Sequence, residues 1–212
     1  MKGRHSALLP PTSVEVETGG LLLVSGGDQS TRTALALVLS GRMRPTSGAV
    51  EWRSNARPKQ LRRHSALVDS PEVSEPERHF RVRDLVAEDL SLIPRRNRPR
   101  TNAAGWLSDA GLSALVPQWI EELAPTVRLD LLARLALADS AVELLVFDSP
   151  DRHDADADTW LPVLEDSVSS SSRPVTAVAV VAQIPPGWTG PAAYAGTAAG
   201  TTAAGVLEEV SA

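Results

Sequence analysis

The chain has 212 residues, 42% of them apolar, and a formal charge of −5 at neutral pH. That length accommodates one large domain or two small ones around a sizeable core, and the acidic balance argues against a nucleic-acid surface, which is normally basic. Cysteine is absent, which excludes disulfides and thiolate metal sites and allows a reducing compartment.

Residues 12–25 read as strands, because Val14, Val16 and residues 21–24 are apolar and Gly19-Gly20 marks a turn between the two runs. A polar loop with two glycines follows over 25–33, and a helical pattern rich in Ala and Leu is expected from Thr33 to about Arg42. Residues 44–69 read as a turn punctuated by Pro45 and Gly48, then further strands ending on the apolar run 66–68. Residues 82–92 carry helical apolar spacing at Val82, Leu85, Val86 and Leu90. The basic segment 94–102, with Arg95, Arg96, Arg98 and Arg100 between prolines, reads as a solvated loop. Residues 103–138 read as helices interrupted at Pro117 and Pro125. Residues 141–148 and 175–182 read as buried strands, separated by a polar loop, a helical stretch at 160–168 and a serine linker at 169–172. The tail from Gly187 to Gly205 is rich in Gly, Ala and Thr and reads as loosely structured, with at most a short hairpin.

Continuous apolar strands alternating with helices predict an α/β fold whose mostly parallel sheet is covered on both faces. The expectation is a single domain over residues 1–212, with a small helical subdomain at roughly 82–138 and a C-terminal tail at roughly 187–212. No apolar run reaches the ~18 residues that a membrane span needs. Residues 1–11 lack the apolar core of a signal peptide, so a soluble, intracellular protein is expected.

Strand, small-residue loop and helix over 21–42 form the skeleton of a phosphate-binding unit. Such a loop needs glycines so that backbone N–H groups can turn inward around phosphates, and the helix start adds a favourable dipole. Against the pattern G-x-x-x-x-G-K-[ST], Gly26 takes the first position and Gly27 follows it. Thr31 stands where the second glycine belongs, Arg32 where lysine belongs, and Thr33 supplies the final hydroxyl. Taken alone, these residues are better read as a turn before a helix.

The segment Leu39-Ser40-Gly41-Arg42-Met43-Arg44-Pro45-Thr46-Ser47-Gly48 is more specific. It is similar to the stretch after the phosphate loop in the nucleotide-binding cassettes of ABC transporters, where a helix ends at Gly and a Pro-Thr-Ser-Gly turn follows. Further features come in that family's order. Val82-Arg83-Asp84-Leu85-Val86 resembles the start of the helical subdomain. Leu123-Ala124-Pro125-Thr126 sits at the signature position, ahead of Arg128 and a helical run. Leu144-Leu145-Val146-Phe147-Asp148 resembles the Walker B strand. The resemblance covers roughly Val14 to Ala182. It implies ATP and magnesium as ligands, with Gly26, Gly27, Arg32 and Thr33 on the phosphates and Thr33 and Asp148 on the metal. It also implies a second cassette as partner, in a homodimer or heterodimer, and a membrane-spanning transporter subunit that holds a cytoplasmic chain at the inner face of the membrane.

Several positions depart from the family pattern. Ser149 replaces the glutamate that polarises the attacking water, and a hydroxyl does not take a proton from water at neutral pH as a carboxylate does. Pro125 and Thr126 replace the signature glycines, Asp69 the Q-loop glutamine, and Gln183 the switch histidine. No aromatic residue precedes the loop to stack on adenine, and Arg32 keeps the charge of lysine without its compact geometry. Each loss of a charge-stabilising group typically slows such chemistry by ~10² to 10³. The expectation is therefore a cassette with weak or no hydrolysis. The rival expectation is a nucleotide-independent pseudo-ATPase acting as a regulatory or structural module.

Other constellations carry less. Asp154, Asp156, Asp158 and Glu165 have calcium-loop spacing, but Thr159 stands where glycine is needed, and acidity at a helix start is the better reading. His153 reads as a loop histidine. Trp106, Trp119 and Trp160 read as core or subunit-contact anchors. No G-x-S-x-G elbow exists for a serine hydrolase.

Overall fold

The structure is a computed structural model that describes residues 8–198. Its elements in chain order are β1 (Leu21–Ser25), α1 (Gln29–Leu39), α2 (Pro58–His64), β2 (Ser65–Val68), α3 (Val82–Leu92), α4 (Ala103–Asp109), α5 (Pro125–Leu137), β3 (Leu144–Asp148), α6 (Ala157–Ser169), β4 (Thr176–Val181) and β5 (Ala192–Tyr194). Short 3₁₀ turns lie at Ser113–Leu115, Ile120–Glu122 and Pro150–Arg152. The five strands form one sheet in the order β2-β3-β4-β1-β5, and every pairing is parallel.

Period-2 alternation explains why the central strands are apolar throughout. Leu21, Leu23, Leu145, Phe147, Ala177 and Ala179 face one core with α3, α4, α5 and α6. Leu22, Val24, Leu144, Val146, Val178 and Val180 face the other with Leu35, Ala36 and Leu39 of α1 and Leu61 of α2. The α/β class, the parallel sheet and the two covered faces are as the apolar runs predict.

Four local expectations are corrected. Residues 12–17 form no strand: Val14 and Val16 pack on the second core, but these residues join no ladder. Helix α1 begins at Gln29 rather than Thr33, because Asp28 caps it by accepting from the Thr31 backbone N–H at 2.8 Å, and ends at Leu39 rather than Arg42, with Gly41 left-handed (φ 70°) just beyond it. Residues 44–64 hold α2 and an isolated bridge between Trp52 and Asn55 instead of strands. In the tail, residues 192–194 form an edge strand parallel to β1 rather than half of a hairpin; residues 199–212 lie outside the described ones.

Helix α3 carries one carboxyl in an unfavourable place. Burial, reinforced by the neighbouring Glu88, pushes Asp89 up to about 6 from an ordinary 3.8. A carboxyl whose folded pKa is raised contributes stability below its unfolded pKa and loses it as pH rises through the folded one. Asp89→Asn is therefore expected to stabilise the protein at neutral pH by on the order of 1 kcal/mol, after allowance for solvent screening. Urea melts between about pH 4 and 6 should show a flatter pH dependence for the variant; equal slopes would count against the assignment.

Candidate functional site

Because the strands are parallel, the ends of β1, β2, β3 and β4 deliver Gly26, Asp69, Asp148 and Ala182 to one side of the sheet. That is where open α/β sheets place ligands. The two glycines have structural reasons to be there. Gly26 has φ +143°, and a Cβ on it would lie 2.9 Å from the Ala195 Cβ. Gly27 has φ +73°, and its Cβ would lie 2.6 Å from the Thr31 side chain. Helix α1 starts immediately after them, so residues 29–31, expected in the open loop, are wound into its first turn.

The Asp28 carboxylate occupies the helix start. It accepts from the Thr31 N–H at 2.8 Å and the Ser30 hydroxyl at 2.7 Å. These bonds hold its pKa below the ordinary value, so it is ionised at neutral pH. An incoming phosphate would meet a fixed negative charge at the place where the helix dipole would otherwise favour an anion.

Thr33 and Asp148 do come together, with the Gln29 amide between them. Gln29 Nε2 lies within hydrogen-bond distance of Thr33 Oγ1 (3.1 Å), Asp148 Oδ1 (3.3 Å) and Ser149 Oγ (2.9 Å), three acceptors around its two hydrogens. Its orientation is fixed by Arg32, whose Nη2 donates to Gln29 Oε1 at 2.9 Å; a flipped amide would face donor with donor. Arg32 is turned back on its own loop, with Nη1 on the Gly27 carbonyl at 2.8 Å and Nε on Ser149 Oγ at 3.0 Å.

Asp148 is 1% exposed and well supplied with donors. Ser70 donates to Oδ2 at 2.6 Å, while Ser149 donates to Oδ1 at 3.0 Å beside Gln29. Ser149 sits in the left-handed region (φ 53°), unusual for a residue with a Cβ. The residues expected to hold magnesium therefore do not fit it as arranged, since an amide fills the space between their oxygens. The phosphate-side residues likewise do not fit ATP as arranged, since Asp28 caps the helix and Arg32 is engaged.

A second polar cluster adjoins the first. Asp69, also left-handed (φ 53°), is 3% exposed. Arg128 of α5 approaches its Oδ1 at 2.6 Å, Arg152 Nη2 lies 3.1 Å from the same oxygen, and His153 Nε2 is 3.3 Å from Oδ2. Arg152 Nη1 also donates to the Asp69 carbonyl. Glu75 accepts from Arg128 at 3.3 Å. Asp69, Glu75 and His153 offer atoms within 4.8 Å of one another, as a metal would need, but two guanidiniums already supply the positive charge there. Burial raises the Asp69 pKa, and His153, Arg152 and Arg128 more than offset it, leaving the carboxyl below its ordinary value.

The other candidate positions lie apart from this chemistry. Pro125 opens α5 as its first residue, and Thr126 donates to the Thr159 carbonyl at 2.9 Å. Gln183 is exposed in the bend after β4. Asp156 caps α6 through the Asp158 N–H at 3.0 Å, in line with acidity at a helix start. Trp106 and Trp160 are core residues, while Trp119 is half-buried beneath the Arg81 guanidinium at 4.2 Å. A cavity of about 990 Å³ opens elsewhere, between residues 8–18 and 43–53.

Sequence reasoning missed the roles of Asp28, Gln29, Ser70 and Arg152. Only Asp28 carried a usable signal, as an N-cap residue ahead of an apolar helix.

No family model matches the chain, and no curated protein sequence matches it. Solved structures do. An ABC transporter of the metal-chelate type in an inward-facing conformation is similar at 23% identity and TM-score 0.57, covering 79% of this chain and 64% of that one. A nucleotide-free ATP-binding cassette from an ABC transporter gives 14% identity and TM-score 0.59, covering 82% and 75%. An ABC transporter ATP-binding protein from Pyrococcus furiosus gives 17% identity and TM-score 0.59, covering 91% and 92%. The chain thus spans just under two thirds of the first of these. It has the fold of an ABC ATP-binding cassette.

Proposed function

We propose that the chain is a cassette-fold subunit of an ABC-type transporter system and that it does not turn over ATP. The observation that carries this reading is the state of Ser149. At the position next to Asp148 where a base would be needed, its hydroxyl donates to Asp148 and receives both Gln29 and Arg32. It has no proton-accepting capacity to offer a water molecule. The arrangement instead suits a partner whose contribution is its fold. A second cassette would supply turnover, and a separate membrane-spanning subunit would supply the path, since no helix among the described residues is long and apolar enough to cross a membrane. Loss of nucleotide altogether, leaving a regulatory or structural module, is favoured specifically by the Asp28 carboxylate at the start of α1.

Two measurements test this. Phosphate release by the purified protein in millimolar ATP and magnesium is expected to match buffer alone, for wild type and for Ser149→Glu alike. Turnover that disappears in Asp148→Asn would sink the reading. In a reconstituted complex, ATPase and transport are expected to need this chain for assembly while tolerating Thr33→Ala within it; rates indifferent to the chain's presence would remove the transporter role.

A further inference from the structure

We infer that the Gln29 amide, held by Arg32, stands in for a metal ion, and that Thr33, Asp148 and Ser149 become a divalent-cation site once that side chain is removed. This deepens the reading of the chain as a cassette without turnover and rests on it for the ion concerned.

The geometry argues for it directly. Three oxygens from three places in the chain converge on one nitrogen, at 3.1, 3.3 and 2.9 Å. Two are hydroxyls and one is a carboxylate, the hard oxygen set that suits magnesium or manganese. The amide nitrogen, with two hydrogens and a partial positive charge, is a weaker version of the cation that such oxygens attract. Asp148 is a buried carboxylate. Among the described residues, no guanidinium or ammonium contacts its side chain, and its donors are Gln29, Ser149 and Ser70. Removing Gln29 would deprive that buried charge of one donor and leave a gap beside it, a combination that favours a cation from solvent. Ser70 already fixes the far oxygen at 2.6 Å, so the carboxylate is held in orientation to receive one.

Asp28 completes the closure on the anion side. Its carboxylate takes the helix-start N–H as a phosphate oxygen would. One residue thus replaces the anion and the next replaces the cation, both from the loop in which the two would otherwise have been bound.

Manganese titration followed by electron paramagnetic resonance tests the inference without reference to turnover. Wild type should bind no better than millimolar. Gln29→Ala should gain affinity, and Gln29→Glu, which adds a second carboxylate, should bind at least about tenfold tighter than wild type. Gln29→Lys places a covalent cation in the gap and should stay as closed as wild type. The gain should vanish when Asp148→Asn is added to Gln29→Ala. Circular dichroism and thermal melts establish that each variant is folded. If Gln29→Ala fails to fold, Gln29→Glu and Gln29→Lys carry the comparison. Wild type binding manganese as tightly as Gln29→Glu would overturn the inference. So would folded Ala and Glu variants with no gain, or a gain that survives loss of the Asp148 carboxylate. Phosphate release by wild type is measured separately: turnover there defeats the functional reading, and the titration alone decides the role of Gln29.

Discussion

Replacing Asp69 by alanine is expected to lower the unfolding free energy by about 3–5 kcal/mol, the usual consequence of deleting one partner of a buried ion pair. The Asp69 side chain is 2% exposed and that of Arg128 is 10% exposed. Without the carboxylate, the guanidiniums of Arg128 and Arg152 would face each other with, among the described residues, the more exposed Glu75 as their remaining counter-charge. Both would suffer, because Arg128 Nε and Arg152 Nη2 are already buried with no hydrogen-bond partner among the described residues. The double variant Asp69→Leu with Arg128→Met should recover part of the loss, because removing both charges costs less than stranding one. The sign with pH follows from the depressed pKa of Asp69. Its stabilisation is present above the unfolded value of 3.8 and disappears as pH falls through the folded one. Urea unfolding at neutral pH measures the loss directly. Repeating it under acid conditions should show wild type and Asp69→Ala converging, and a constant gap down to strong acid would mean that the carboxylate is not the source.

The same cluster has a mechanical consequence. Asp69 follows β2, Arg128 belongs to α5, and Arg152 and His153 follow β3, so one carboxylate ties the helical segment to the ends of two strands.

How much of this could be read in the sequence depends on the range of the interaction. The strands at 144–148 and 176–181 announce themselves as continuous apolar runs, because both their faces are buried. Helix α2 was illegible: Leu61 is its one aliphatic residue in seven, so no 3.6-residue period exists to detect. Val14 and Val16 do alternate as a strand would, but alternation reports which side is buried and not whether a neighbour is there to pair with. Strand β5 is only Ala-Ala-Tyr, and its place beside β1 is decided by the fold rather than by propensity. In the site, the order of Gly26, Thr33 and Asp148 along the chain was readable because motifs are local. The Gln29 contacts to Asp148 and Ser149 span about 120 residues and are set by where β3 lies beside α1. Nothing in residues 25–33 alone announces them.

These ranges also separate what holds the fold from what shaped the site, and Phe147→Ala is the variant that exposes the difference. Phe147 is 0% exposed in β3, between β2 and β4, facing the core beneath the helical segment. Truncating a fully buried phenylalanine removes its transfer free energy and leaves a cavity, so a loss of about 3–5 kcal/mol is expected. Phe147→Leu, which keeps most of the volume, should cost less than about 1.5 kcal/mol. Its neighbour Asp148 points to the opposite side of the strand, and removing the half-buried Gln29 amide with its contacts to Thr33, Asp148, Ser149 and Arg32, as in Gln29→Ala, should cost about 1–2 kcal/mol. Urea midpoints for the three variants on one scale give the ordering. If Gln29→Ala proved as damaging as Phe147→Ala, the polar cluster would be structural in its own right. The expected order, core above site, means that residues 28–33 and 149 can change their chemistry at little cost to the sheet, and the fold can persist while the site diverges.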